Sequence, residues 1–311
     1  MSRPPTSRRT QAAAEGARSA TLSALNRQPG KELRKNRIFV GFLFVMVGIA
    51  LTGLALILID AFLEGKGKLS LDLITGSTSS DPEKAGFQQA ILGTLWLIGF
   101  VILMVVPLGV GAALYLEEYA DKERWWNRLI EINIQNLAAV PAIIYGILGL
   151  AFIVRGPLDL GFILFSGSMT LALLVLPTVI ISAREAIRAV PPSIREGSLA
   201  LGATQWQTIR RQVLPAAVPG ILTGVILAIS RAIGEAAPLL LLGAATFATF
   251  NPEPFADAGW IALPVQIFQY AARPQEEIRE LAAAGIILML AVLLLMNSVA
   301  IWLRNRYEQS W

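Results

Sequence analysis

The 311-residue chain has no cysteine and no histidine. Disulfides are therefore excluded, together with haem, iron–sulfur clusters, most zinc sites and every His- or Cys-based catalytic constellation. Carboxylate-only chemistry stays open. Charge is scarce as well: Asp, Glu, Lys and Arg make up 15% of the residues, far below the usual share in soluble domains. No G-x-x-x-x-G-K-[ST] occurs, so the chain lacks the phosphate cradle with which a protein binds ATP itself.

What is present is apolar, 55% of the residues, and it comes in long blocks. Crossing a bilayer takes about 20 apolar residues at about 1.5 Å rise each. Six blocks meet that length: 38–59, 90–116, 129–154, 160–183, 216–246 and 281–303. A lipid-exposed segment must satisfy its own backbone hydrogen bonds, and the blocks are too long and uniform for barrel strands. The predicted fold class is an all-α membrane protein with six transmembrane helices. Residues 1–37 form a basic tail with nine Lys/Arg against two Glu and little to bury, so disorder is predicted there. The first block at 38–59 is too long for a secretory signal, and no A-x-A-like cleavage site follows. Residues 60–89 are a loop, 90–303 a five-helix core, and 304–311 a short C-terminus.

Orientation follows from the Lys/Arg bias. With a cytoplasmic N-terminus, the segments 1–37, 117–128, 184–215 and 304–311 hold 19 Lys/Arg, and the opposite loops hold 6. Both termini are therefore predicted to be cytoplasmic. Gly220 and Gly224 open the fifth block at the spacing that lets two helix backbones approach closely.

Residues 190–215, between the fourth and fifth blocks, carry two helix-start signals. Ser193 with Glu196 and Thr204 with Gln207 each have the spacing of a capping box. Gly202 sits where a first short helix would stop in a left-handed residue, and Pro215 where a second would end. Ile194, Leu199, Trp206, Ile209 and Val213 leave a mixed surface that calls for a partner. A DNA-binding helix-turn-helix does not fit, because spans tether both ends and only two arginines flank the second helix; no nucleic acid is expected. Glu196, Gly202 six residues on, then Ile209 and Leu214-Pro215 together resemble the EAA loop of ABC-importer permeases, with Glu196-Gly-Ser198 in place of Glu-Ala-Ala. The resemblance implies a type I ABC-importer permease fold in a bacterial inner membrane. It also implies that Glu196, Gly202, Trp206, Ile209, Leu214 and Pro215 couple the spans to a cytoplasmic ATPase. In such an assembly this chain binds no cofactor of its own, and ATP and Mg sit on the partner ATPase.

Arg231 and Glu235 stand inside the fifth block, four residues apart, on what would be one helix face. Each is costly in lipid, so both should face protein or water. Physics alone leaves two roles open: a salt bridge that glues spans together, or a pathway arginine that meets an anion beside a glutamate that limits how tightly it is held. Arg231-x-x-Gly234-Glu235-x-Ala237-Pro238-Leu239-Leu240, with Leu263-Pro-Val-Gln-Ile-Phe268, resembles the permeases of phosphate importers over residues 88–303. That resemblance favours the pathway role. It implies a heterodimer with a second related permease, two copies of the ATPase, and an external phosphate-binding protein. Asn133, Asn136 and Glu131 in the third block are weaker pathway candidates, and Arg184 is a candidate inner gate or a positive-inside anchor. The 247–280 segment, rich in proline and aromatics, is expected to fold into a cap or docking surface. Permeases for other oxyanions such as molybdate or sulfate, a secondary transporter, and a carboxylate-based membrane enzyme are the alternatives.

Overall fold

A computed structural model describes Gly16 and residues 30–79, 81–121, 123–244, 250–255 and 259–307. All regular structure among these residues is helical. The chain divides into two compact units, residues 1–60 and 61–311.

The described part of the first unit is dominated by helix α1, Gly30–Gly65, whose last five residues belong to the second unit. It begins eight residues before the apolar block, so it takes in the end of the basic tail; residues 1–15 and 17–29 lie outside the described residues. Its side chains from 34 to 60 are all exposed, including Phe39, Phe44 and Ile57. Its uncharged, exposed stretch over residues 38–59 suits hydrocarbon as its solvent.

The second unit holds α2 (Leu71–Thr75), α3 (Gln88–Leu114), α4 (Trp125–Ala138), α5 (Ala142–Leu148) and α6 (Leu164–Arg188). After these come α7 (Pro192–Ala200), α8 (Gln205–Thr208), α9 (Leu214–Ile233), α10 (Ala237–Leu241), α11 (Leu263–Ala271) and α12 (Glu276–Tyr307). At about 1.5 Å per residue, the 27 residues of α3 are about 40 Å long, enough to span hydrocarbon and both interfaces. α3 starts among Leu73, Phe87, Leu263, Tyr270 and Leu281 and ends beside Ala113, Ile187, Val190, Val213 and Ala217. These two apolar clusters mark opposite ends of the unit. The central cluster, including Leu97, Val101, Leu171, Val175, Ala228 and Trp260, joins them.

α6 is the most enclosed span, and small residues set its distance from α9. A methyl on Gly220 would lie 2.8 Å from Ala186 Cβ, and one on Gly224 would collide with Ser182. The Gly220–Gly224 pair therefore does bring two backbones together, against small residues of matching spacing on α6.

Among the described residues, five helices are long and apolar enough to cross a membrane, and the third block supplies a sixth only as a bent pair, Trp125–Ala138 and Ala142–Val154, turned by 105°. The straight span expected over 129–154 is thus broken. Pro141 has no N–H to give the Leu137 carbonyl, and it pushes Val140 away from helical angles. The Tyr145 hydroxyl donates to that carbonyl at 2.9 Å instead. The fifth block is broken too: α9 stops at Ile233, and α10 starts after Glu235, with Pro238 in its first turn. Gly234 is a weak helix former, and Pro238 cannot donate to it. Residues 245 and 246, the end of that block, lie outside the described residues.

Within the 247–280 segment, residues 260–267 are internal. Trp260 is 1% exposed, and its indole N–H donates to Phe162 O at 3.1 Å. Ile261, Leu263 and Val265 are buried with it. Trp260 therefore belongs to the core, and the exposed aromatics among the described residues of this stretch are Phe250, Phe255 and Phe268.

Candidate functional site

Two places collect the singled-out residues. The first is the elbow formed by α7 and α8, at the end of the unit opposite α11. Its corner is built as the sequence demands. Gly202 has φ +84°, its N–H bonds Leu199 O at 2.9 Å, and the Ala203 N–H bonds Ser198 O at 3.2 Å. This is the paired 5→2 and 6→1 closure of a helix that ends in a left-handed glycine. The second box forms: the Thr204 hydroxyl accepts from Gln207 N–H at 3.3 Å, and the Gln207 side chain accepts from Thr204 N–H at 2.9 Å. The first box does not. α7 starts at Pro192 with Pro191 as its cap residue, so Ser193 already lies inside the helix and Glu196 reaches no cap. A proline in the first turn needs no donor partner, which lets this helix begin early.

Pro215 does not end the second helix. A π-helical turn, Ile209–Val213, carries α8 directly into α9, so residues 205–233 run as one helix. The wider turn absorbs the register change ahead of the proline. The six coupling candidates therefore divide. Glu196, Gly202 and Trp206 are exposed, whereas Ile209 is buried and Leu214 and Pro215 are half-buried. Ile209 and Val213 pack inward, so the unpartnered apolar face consists of Leu199, Leu201 and Trp206. Leu201 is 91% exposed. Beside it a cleft of about 450 Å³ is lined by Ser193, Ile194, Gly197, Leu201, Gln207 and Arg211. An exposed apolar rim beside a cleft of mixed lining suits helix-in-groove contact with a protein.

The second place is the break between α9 and α10. Arg231 occupies the last turn of α9, where the carbonyl end of the helix favours a cation. Glu235 lies beyond the helix, so the two do not share a helix face as the spacing suggested. Among the described residues neither side chain has a hydrogen-bond or ion-pair partner. Arg231 is exposed and Glu235 half-buried. Their mutual salt bridge, one of the two roles left open above, is not formed. An unpaired guanidinium at a helix break inside an apolar block is a ready anion contact.

The remaining candidates resolve differently. Asn133 is exposed, and its amide donates to Leu129 O at 2.8 Å; Asn136 is exposed as well. Arg184 is no surface anchor. It is 7% exposed and pairs with Glu131 at 3.1 Å and Glu117 at 3.5 Å. Together with Asn127 and Arg128 it lines a cavity of about 220 Å³. Sequence reasoning missed Glu117, Glu118, Arg188 and Arg195, which form the polar contacts at this end. Two acidic residues closing an apolar span were the available signal.

Residues 105–309 match the family of binding-protein-dependent transport system inner membrane components. The phosphate transport system permease protein PstA of Haemophilus influenzae is 36% identical over 264 residues, 84% of this chain and 91% of that one. PstA of Yersinia pestis is 35% identical over 271 residues, 86% and 89% of the two chains. Among solved structures, a bacterial alginate ABC transporter in complex with an alginate pentasaccharide-bound periplasmic protein aligns with a TM-score of 0.66 at 18% identity, covering 89% of this chain and 96% of that one. The MetNI methionine ABC transporter, in inward-facing conformations, aligns with a TM-score of 0.56 at 17% identity, covering 71% and 94%. At that identity the two structures speak for the fold alone. With most of its length matched in sequence, the chain belongs to the family of binding-protein-dependent transport inner membrane components, and within it to the PstA-type permeases.

Proposed function

We propose that this chain is one of two permeases of an ATP-driven importer of inorganic phosphate. The observation that carries the reading is its likeness to PstA proteins along more than four-fifths of its length. The geometry supports it at two points: an unpaired Arg231 at a helix break within the spans, and an exposed elbow suited to a partner. The second permease completes the pathway. Two copies of an ATPase carry ATP and Mg, and a phosphate-binding protein delivers the substrate from outside. Both termini and the elbow face the cytoplasm, in line with the Lys/Arg bias.

In the mechanism, ATP closes the paired ATPases, which move the elbows of the two permeases. Glu196, Gly202 and Trp206 form the outer contact of this elbow, while Ile209, Leu214 and Pro215 carry its movement into α9. The spans then open outward and take phosphate, and hydrolysis resets them. Arg231 donates two parallel hydrogen bonds to the oxyanion, and Glu235 keeps the complex weak enough to release it. Asn133, Asn136 and Arg184 are secondary candidates along the inner part of the route.

The test is uptake of inorganic phosphate by vesicles containing all four kinds of subunit. Arg231→Gln keeps a polar, hydrogen-bonding side chain and removes its charge. It is expected to lower uptake by about two orders of magnitude, the effect of losing a desolvated charged contact, with the complex still assembled. Unchanged uptake would contradict the pathway role. Uptake of molybdate or sulfate in place of phosphate would move the assignment to another oxyanion.

A further inference from the structure

α3 does not stop at Leu114 but continues as a π-helical turn, Tyr115–Tyr119, which ends in two consecutive glutamates and a tyrosine. The glutamates serve different neighbours. Glu117, whose side chain is 5% exposed, accepts both Nε and Nη2 of Arg188 on α6, at 3.1 and 3.0 Å. Glu118, 9% exposed, faces the elbow. Its Oε1 accepts Nε and Nη2 of Arg195 at 3.1 and 2.7 Å. The same guanidinium donates to Val190 O at 2.7 Å and to Ile187 O at 2.9 Å. One side chain of α7 therefore holds the end of α3 and the last carbonyls around the end of α6 together. A second tie runs from Gln205 Nε2 on α8 to Glu118 O at 2.6 Å. Ser198 and Thr208 join α7 to α8 at 2.9 Å.

Apolar packing holds α7 only thinly. None of its residues is buried, and Ile194 alone reaches the neighbouring apolar cluster. Apolar contacts are non-directional and tolerate sliding, whereas a guanidinium with its Nε and both terminal nitrogens engaged fixes a direction.

We propose that the Arg195–Glu118 clasp is the strut that passes displacement of the elbow to α3 and α6. Arg195 and Glu118 are positioning residues, remote from the substrate. The proposal rests on the importer reading above, and it names the link between the ATPase contact and the spans.

The complete transporter is reconstituted in vesicles, with influx of inorganic phosphate and ATP hydrolysis measured on the same preparation. In Arg195→Ala, ATP hydrolysis persists while phosphate moved per ATP falls about tenfold, because the buried Glu118 loses its partner. Arg195→Lys, which can still pair with Glu118, recovers about half of the ratio. A wild-type ratio in Arg195→Ala overturns the strut. Should that variant fail to assemble, Glu118→Gln takes its place: a fall of at least about threefold supports the strut, and a wild-type ratio overturns it.

A wild-type complex that moves no phosphate contradicts the importer reading and leaves the strut to a second measurement. The chain has no cysteine, so spin labels at Ala200→Cys and Tyr119→Cys form a unique pair within it. With the clasp intact, nucleotide changes their separation by less than about 2 Å; in Arg195→Ala the elbow moves without α3 and the change is larger. Equal changes in the two proteins overturn the strut.

Discussion

Gly202 shows how one backbone angle shapes the elbow. Its φ of +84° lets two consecutive N–H groups turn back on α7 and close it. A β-branched side chain there is strained by about 1–2 kcal/mol. Gly202→Val is expected to lower phosphate moved per ATP while the protein still reaches the membrane, as measured by uptake and hydrolysis on one preparation. Gly167 is a second such position, for a steric reason. A methyl there would lie 2.5 Å from Trp260 Cη2, and the indole is enclosed on its other sides. Gly167→Ala should destabilise the protein by about 1–3 kcal/mol, seen as a lower thermal midpoint in detergent. An unchanged midpoint would mean the ring has room to move. Gly202 was legible in the sequence, because a glycine between two short helical patterns has few other uses. The role of Gly167 was not, since its constraint comes from a residue 93 positions away in the chain. Arg231 lies between: a charge in an apolar block is conspicuous, but its lack of a partner is a property of the folded chain.

Among elements, local rules held where nothing larger competed with them. The Thr204–Gln207 box formed because the turn before it leaves Thr204 extended, at φ −72° and ψ 160°. The Ser193–Glu196 box failed because two prolines start α7 earlier. Pro141 bends a span sharply while Pro107 and Pro177 sit inside continuous helices. Sequence shows the proline in each case, and packing decides the bend. The α11 element adds a pH dependence. Burial pushes the Tyr270 phenol above its ordinary value, and its bond from Gln266 only partly offsets this. A raised phenol favours the neutral form in the fold. Its contribution is full below the ordinary phenol range and is lost as pH rises through the raised value. The thermal midpoint should therefore fall as pH rises beyond the ordinary phenol range near about pH 10, and less steeply in Tyr270→Phe. Equal slopes would show that another group is responsible.

For the whole molecule, the spans were the most legible part, since hydrocarbon thickness leaves few alternatives to long apolar helices. The chain is a multi-pass inner-membrane permease, and the elbow and α11 occupy opposite ends of its second unit. Less visible was the division of labour at the elbow. The periodicity of Ile209 and Val213 matched that of Leu199 and Trp206, but the first pair faces inward and only the second remains open. An open apolar rim beside a cleft is what the proposed contact of this elbow with a cytoplasmic ATPase rests on. A photoactivatable crosslinker on Trp206→Cys, attached uniquely within a chain that has no other cysteine, tests it in membranes holding the complete transporter. A covalent adduct with the ATPase subunit is expected. An adduct with the external binding protein, or none with the ATPase, would contradict it.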